Sequence, residues 1–386
     1  MARFGQYAPE FRIEINGNRL PGQLESAIST VQLEDGLEGA NSVEIVFLNQ
    51  ELQFIDHVLL ETENELTLSI GYAPDPAQTV FSGEITGVEP AFPPGGMPTV
   101  RVTAHDQIQR IAQGTKDRSF EISIPSLQNT PLPDQVVASI LSSESQFVPG
   151  IDPVGGALSA IVALATYIVA PRLAQMGIRR QKGDTDYDFL ANIARENGWE
   201  VFIDHAAEPR GSVLRFKSMF EDFASSKSFD YGSTLMDFTP RMTTTGDVDG
   251  VASRIWIDSV KTEFVIVVSW DFDGGGFDLR VLPEFDGDVA NLLGGPRGTL
   301  SIKPVGFPQT VRQILSELLP RLNQRTTGSG TVIGAPDIRA GSIMNLQQLG
   351  SAFSGLYRVT SATHSLDGSG YKTNFEARKE VWFPDI

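Results

Sequence analysis

The groups in this 386-residue chain that could move protons or hold a metal are four histidines, His57, His105, His205 and His364, and 48 Asp and Glu residues; cysteine is absent. Without thiols there are no disulfides, thiolate nucleophiles or cysteine-ligated metals, and the redox compartment is unreadable. The histidines stand singly, with no HExxH or other ligand spacing, so no metal site is expected; His364 in an alternating strand and His105 at the end of one read as structural histidines. The densest carboxylates, Asp271-Phe-Asp273-Gly-Gly-Gly-Phe-Asp278 with Asp286-Gly-Asp288 after them, could offer oxygen ligands to Ca²⁺. They lack the EF-hand order and its closing Glu, and read as a Gly-rich hairpin tip, as does Gly246-Asp-Val-Asp-Gly250. Glycoside hydrolysis needs two carboxylates with opposed pKa values, and no spacing singles out a pair. The nucleophile turn G-x-S-x-G and the phosphate loops G-x-x-x-x-G-K-[ST] and G-x-G-x-x-G do not occur. Arg179-Arg-Gln-Lys182, the one tight basic cluster, reads as a solvated face or a subunit salt bridge. No catalytic, cofactor-binding or metal residue is assigned, and the chain reads as a structural or interaction protein rather than an enzyme.

The elements that would position such residues are mostly strands. From Phe11 to about Ala104 the pattern has period two, in Phe11–Ile15, Ser42–Leu48, Glu65–Tyr72, Glu84–Glu89 and Thr99–Ala104, with a short helix allowed around Gln50 to Val58. The middle changes period. Pro133-Asp134 opens a helix over Gln135–Leu141, and Thr185 or Asp184 caps a second one with Phe189, Leu190, Ile193 and Ala194 on one face and Asn197-Gly198 as a left-handed stop. Trp199–Ile203 and Ser212–Lys217 then form a hairpin. Strands return from Leu235, with candidates at Ala252–Ile257, Glu263–Trp270 and Ser342–Leu346, interrupted by one helix capped by Thr310 and disturbed by Pro320. Gly and Pro make up about 16% of the chain against an average of roughly 12%, as many short strands and tight turns require.

The formal charge of −18 opposes nucleic-acid backbones and anionic lipid, so neither is an expected partner. Val154 to Ala170 is uncharged for 17 residues, but its helical part, Ala157 to Ala170, has the length of a core or interface helix, and membrane contact is not expected. The N-terminus lacks a basic segment followed by an apolar one, which predicts synthesis in and retention by the cytoplasm until a machine or lysis releases the protein.

An internal echo organises these pieces. Phe81-Ser-Gly83 precedes a strand, a loop and the strand Val100–His105; Phe353-Ser-Gly355 precedes Leu356–His364, a turn and Tyr371–Arg378. The repetition predicts two related β units with a helical insertion between them. The expected division is a first β-barrel over residues 1–115, a helical and α/β insertion over 116–235, and a second β-barrel over 236–386.

Two stretches resemble the hub proteins of contractile injection machines: the phage late control D family, the baseplate hub of contractile phages and the N-terminal part of VgrG spikes. They are Gln181 to Trp199, which resembles the family's "Q-x-x-E/D-S/T-D-x-x-F-L-x-x-L-A-x-x-x-G" helix, and Gly355 to Glu376, which resembles its closing "G-x-Y-x-V-x-x-x-x-H … G-Y-x-T-x-F" hairpin. Phe81–Ile85 and Val102–Asp106 support it. The resemblance implies a mainly β fold with an α+β insertion, containing two tail-tube-like antiparallel β-barrels and a smaller α/β domain. It further implies a homotrimer whose six barrels adapt a sixfold tail tube to a threefold spike. The partners would be a tail tube protein or tube initiator, other baseplate proteins and a separate spike protein, because only Val381–Ile386 follows the closing hairpin. The finished location would be the baseplate of a virion or phage tail-like particle. The other reading left open is a cell-wall hydrolase delivered by such a particle. The segment 154–170 is extra relative to the family.

Overall fold

The computed structural model describes residues 8–122, 131–150, 178–205, 207–209, 211–218, 227–244, 248–257, 261–271, 276–289, 292–293, 299–302 and 307–381. The apolar segment 154–170 lies outside the described residues, as do 245–247 and 272–275 of the two Gly-rich acidic stretches.

The first β unit contains β1 (Pro9–Ile15), β2 (Asn18–Arg19), β3 (Ile28–Gly36), β4 (Ser42–Leu48), β5 (Glu65–Tyr72), β6 (Gln78–Ala91) and β7 (Thr99–His105). Turns and a 3₁₀ turn at Val58–Leu60 replace the short helix allowed around Gln50 to Val58. The main strands pair in the spatial order β1-β5-β6-β7-β4-β3, all antiparallel. Alternation sends one face inward: Ile13, Val31, Ile45, Leu68, Ile85 and Val102 join one buried cluster, to which the outermost strands β1 and β3 both contribute, so the sheet curls about its own core.

Next come β8 (Lys116–Phe120), α1 (Asp134–Glu144), β9 (Val148–Gly150), β10 (Arg179–Asp184), α2 (Asp186–Asn197), β11 (Trp199–Ile203) and β12 (Val213–Ser218). The α2 helix forms as its sequence dictates. Thr185 Oγ1 accepts from Asp188 N at 3.0 Å, Asp186 and Asp188 occupy the positive end, and Gly198 closes the helix at φ 66°. Phe189, Leu190 and Ile193 pack on Trp199, Val201 and Phe216 of the expected β11–β12 hairpin in a second core.

The second β unit contains β13 (Lys227–Asp230), β14 (Leu235–Met242), then an inserted lobe of β15 (Gly250–Ile257), β16 (Thr262–Asp271), β17 (Gly276–Pro283), β18 (Thr299–Ile302) and α3 (Phe307–Asn323). It resumes with β19 (Thr326–Ile333), β20 (Ile343–Gln347), β21 (Gly355–Asp367) and β22 (Gly370–Arg378). Strands 252–257 and 263–270 therefore belong to a separate four-stranded sheet, ordered β17-β16-β15-β18, whose Val251, Ile255, Ile266 and Val268 pack on Ile314, Leu318 and Leu322 of α3. Thr310 lies inside α3, which begins three residues earlier than its expected cap. Pro320 is in its last turn.

Without that lobe, the second unit repeats the first. Its spatial order is β13-β20-β21-β22-β19-β14, and replacing these six by β1, β5, β6, β7, β4 and β3 keeps both the chain order and every neighbour. The register repeats as well. A bulge leaves Ser29 unpaired in β3 and Met236 in β14; another leaves Thr86 unpaired in β6 and Thr360 in β21. Between them, Val46 facing Arg101 corresponds to Thr331 facing Asn374, and Leu68 facing Phe81 to Leu346 facing Gly355. The first pair of strands differs, since β1 runs antiparallel to β5 and β13 parallel to β20. The Phe-Ser-Gly echo marks the right strands but lies two residues out of structural register, because Phe81 corresponds to Gly355.

Candidate functional site: an extended sheet with open edges

The two repeats are joined edge to edge. The N-terminal half of β21 pairs with β20, and its C-terminal half pairs on the same side with β3, from Ser361 facing Gly36 to Leu366 facing Val31. One sheet thus runs unbroken through both units. A transverse row of paired residues, Asp237, Thr331, Asn374, Thr363, Glu34, Ser42, His105 and Glu84, crosses eight strands without an apolar side chain. Its flanking residues Ser329, Ser361 and Glu376 are polar too, so this band of the face away from the cores is wettable, with apolar Ile333 and Leu48 exposed toward its margins.

The seam is held from below by a buried polar group. His364, fully buried, donates from Nε2 to the Ile338 carbonyl at 2.9 Å, which leaves Nδ1 to accept from Tyr371 Oη at 2.8 Å and Thr373 Oγ1 at 3.1 Å. Burial, then Arg339, push the imidazole down to about 4, while Asp35 and the Ile338 carbonyl act weakly the other way. Arg339 pairs with Asp35 of β3, and Tyr371 packs beside Tyr72 of β5 with ring centroids 5.9 Å apart. Tyr371 itself is held well above the usual phenol range by burial. His364 thus ties β21 to β22 and to the Ile338 carbonyl beneath the seam.

The other histidines have local work as well. His105 pairs with Thr86 Oγ1 at 2.7 Å, and the ring of His57 caps the 3₁₀ turn by accepting from Leu59 N at 3.3 Å. His205 docks the α2 lobe onto the first repeat: its ring stacks on Phe81 at 5.5 Å, Nδ1 accepts from Ser82 N at 3.2 Å, and Nε2 lies 3.6 Å from Asp106 and 3.4 Å from Asn41. A second clamp joins that lobe to the other repeat, where buried Arg358 bonds buried Glu380 at 2.8 Å and Arg378 reaches both Glu380, at 3.0 Å, and Glu200, at 2.9 Å. Sequence pattern gave no sign of these buried charges.

The basic cluster is used internally. Arg179 grips Asp134 bidentately at 2.8 and 3.0 Å and also pairs with Glu196; although burial works against its charge, these carboxylates raise it above the ordinary guanidinium range. Gln181 is buried and bonds Asp186, whose carboxyl is held low by Lys116, Gln181 and Arg118 against the opposing effect of burial. Arg180 and Lys182 are exposed. Asp278 bonds Arg280 at the surface, Asp286 and Asp288 are exposed, and among the described residues no group of three His, Cys, Asp or Glu side chains could hold a metal ion. No described helix is long and apolar enough to cross a membrane.

Among the described residues the long sheet has several unpaired edges, β1 and β13 among them. Two others are β14, which apart from the Tyr231–Leu235 bridge has no described partner on the side away from β19, and the second half of β6, beyond the point where β5 begins at Glu65. Phe92, Met236 and Met242 beside them are 59%, 50% and 48% exposed. A third apolar strip, Phe277, Leu279 and Val281, lies on the edge strand β17 of the inserted lobe.

No protein-family model matches the chain, and no curated protein matches it. Solved structures do. The 43 kDa tail protein of prophage MuSo2 from Shewanella oneidensis superposes with a TM-score of 0.63 at 12% identity, over 97% of this chain and 99% of that one. A tail protein from Neisseria meningitidis MC58 gives 0.57 at 10% identity, over 98% and 99%. An Escherichia coli protein described as a type VI secretion component with structural similarity to bacteriophage T4 tail proteins gives 0.57 at 11% identity, over 97% and 79%. The chain has the mainly β fold of these tail proteins, with several antiparallel sheets.

Proposed function

We propose that the chain is the structural baseplate hub of a contractile injection system, a phage tail or a tail-like particle, in which three copies form a ring of six β units joining the tail tube to the central spike. The observation that carries this reading is the duplicated six-strand unit: a repeat joined edge to edge within one chain supplies two alike positions per copy, so three copies present six to a tube and three to a spike. The fold shared over nearly the full length with phage tail proteins supports it. Residues 1–115 and 236–386 would be the two tube-like barrels, the second drawing in β13 and Leu235 from just before it, and the rest of 116–235 the α/β domain, with β15 to β18 and α3 as an elaboration of the second barrel. Tube protein or tube initiator, spike and other baseplate proteins are its partners, and the assembled particle is its location.

The work is done by shape and edge complementarity, without covalent chemistry. Mass measurement of the purified chain at micromolar concentration, alone and with tube and spike proteins, is the test. A trimer that binds them is expected; a monodisperse monomer indifferent to both sinks the proposal. Peptidoglycan incubated with the chain is expected to stay insoluble. Soluble fragments whose release is abolished by a single Asp or Glu to Ala change would establish the hydrolase instead.

A further inference from the structure

The repeat says what the open edges of β14 and β6 are for. In the structural correspondence, β14 stands where β3 stands and the second half of β6 stands where the second half of β21 stands. Within the chain β3 and β21 are paired; among the described residues their counterparts have no strand on that side. We propose that the open half of β6 in one copy pairs antiparallel with the open edge of β14 in a second copy, in the register already used between β21 and β3.

Transferring that register makes Val88 face Met242, Glu89 face Arg241, Pro90 face Pro240 and Phe92 face Phe238. The side chains fit this placement. On the core-side face, Val88, Pro90 and Phe92 meet Met242, Pro240 and Phe238, as Ala362, His364 and Leu366 meet Asp35, Leu33 and Val31 inside the chain. On the solvent face, Glu89, which corresponds to Thr363, meets Arg241, which corresponds to Glu34. Both are exposed and opposite in charge, a favourable cross-strand pair. A slip of one residue would place charge against the apolar row.

The prolines refine the contact. Leu37 N donates to Thr360 O at 3.1 Å, so by alternation the N–H groups of Asp35, Leu33 and Val31 point toward β21. Thr243 N donates to Arg325 O at 2.9 Å, which turns the nitrogens of Met242, Pro240 and Phe238 toward the open side, and Ile85 N donating to Asn64 O does the same, across the bulge, for Val88 and Pro90. Each open edge therefore lacks its central donor. Such an edge is a poor template for an arbitrary strand, yet Val88 facing Met242 and Phe92 facing Phe238 can still exchange backbone hydrogen bonds on either side. Matching side chains, rather than a full ladder, would select the partner.

The inference rests on the hub reading for the number of copies and not for the contact itself. Because the chain has no cysteine, single variants Glu89→Cys and Arg241→Cys can be made in the full-length protein, mixed and mildly oxidised. Glu89 and Arg241 would form a non-hydrogen-bonded pair, with Cα atoms about 4.5 Å apart, within disulfide reach. A disulfide-linked pair of chains is expected from this mixture, at least tenfold faster than from Glu89→Cys with Thr239→Cys. The double variant Glu34→Cys/Thr363→Cys should close within one chain and reports that the fold and the template register are intact. Glu89→Arg alone should weaken self-association several-fold, and Glu89→Arg/Arg241→Glu should restore it. Trimers without the 89–241 disulfide would overturn the edge pairing and leave the hub reading standing. The disulfide in particles of another copy number would overturn the trimer and leave the pairing. Chains that stay monomeric and unlinked overturn the pairing.

Discussion

Protonating His364 should loosen the seam between the two repeats, and the cost can be worked out. The imidazole is pushed down to about 4 in the folded chain from 6.5. The unfolded chain therefore binds the proton from pH 6.5 downward and the folded chain only near 4. Stability is full above the higher value, declines as pH falls between the two, and loses the whole contribution below the lower one. The gap of about 2.5 units corresponds to roughly 3 kcal/mol, of which about 2 kcal/mol is gone by about pH 5. The assay is urea unfolding of the wild type and of His364→Gln at about pH 7.5 and about pH 5, at one protein concentration. His364→Gln is less stable at the higher pH because the cavity and hydrogen bonds no longer match, but that loss cancels in the comparison. The acidic residues are the same in both proteins, so their contribution drops out as well. The wild type should lose about 2 kcal/mol more than the variant on acidification. Equal losses within about 0.5 kcal/mol would refute the assignment of a buried neutral imidazole.

Three further outcomes test other contacts. Arg358→Ala leaves the buried Glu380 with only Arg378 and should cost about 3–5 kcal/mol in urea unfolding, whereas Arg358→Met combined with Glu380→Met should recover most of it. Gly83→Ala would set a Cβ 2.2 Å from the His105 carbonyl oxygen, so a loss of roughly 1–3 kcal/mol is expected, with the midpoint of chemical unfolding as the measure. Thr185→Ala removes the cap of α2 and should cost about 1 kcal/mol, read as a lowered melting temperature.

What the sequence disclosed was local. Asp184 or Thr185 as the cap, the 3.6-residue spacing of Phe189, Leu190, Ile193 and Ala194, and Asn197-Gly198 as the stop placed α2 to within one residue at its start, because each signal acts within one or two turns. Period-two stretches located β1, β4, β5, β7 and the closing hairpin for the same reason. Alternation says which face of a strand is buried but not which sheet the strand joins. Ala252–Ile257 and Glu263–Trp270 read as strands like those of the second repeat, yet they form a lobe of their own in which Val265 to Trp270 are buried without a break, packed by α3 on one face and by Val289 on the other. Pro240 concealed β14, since a proline argues against a strand unless that strand is an edge. The β3–β21 seam is set by contacts between residues more than 300 positions apart, which no local window contains. His364 reads only as a structural histidine, and nothing near Arg358 or Glu380 in the chain signals that distant elements bury them.

The seam also imposes an order in time. Gly36 of β3 pairs with Ser361, so 325 further residues must be made before its partner exists. At about 5–20 residues per second, the first repeat waits roughly 16 to 65 s on the ribosome with that edge uncovered. Unlike β6 and β14, which carry Pro90 and Pro240, β3 has no proline to discourage stray strands during the wait. Its shelter over that interval has to come from outside the finished structure, from a chaperone or from the ribosome itself, and slow translation of the middle of the chain would be the condition under which this protein aggregates.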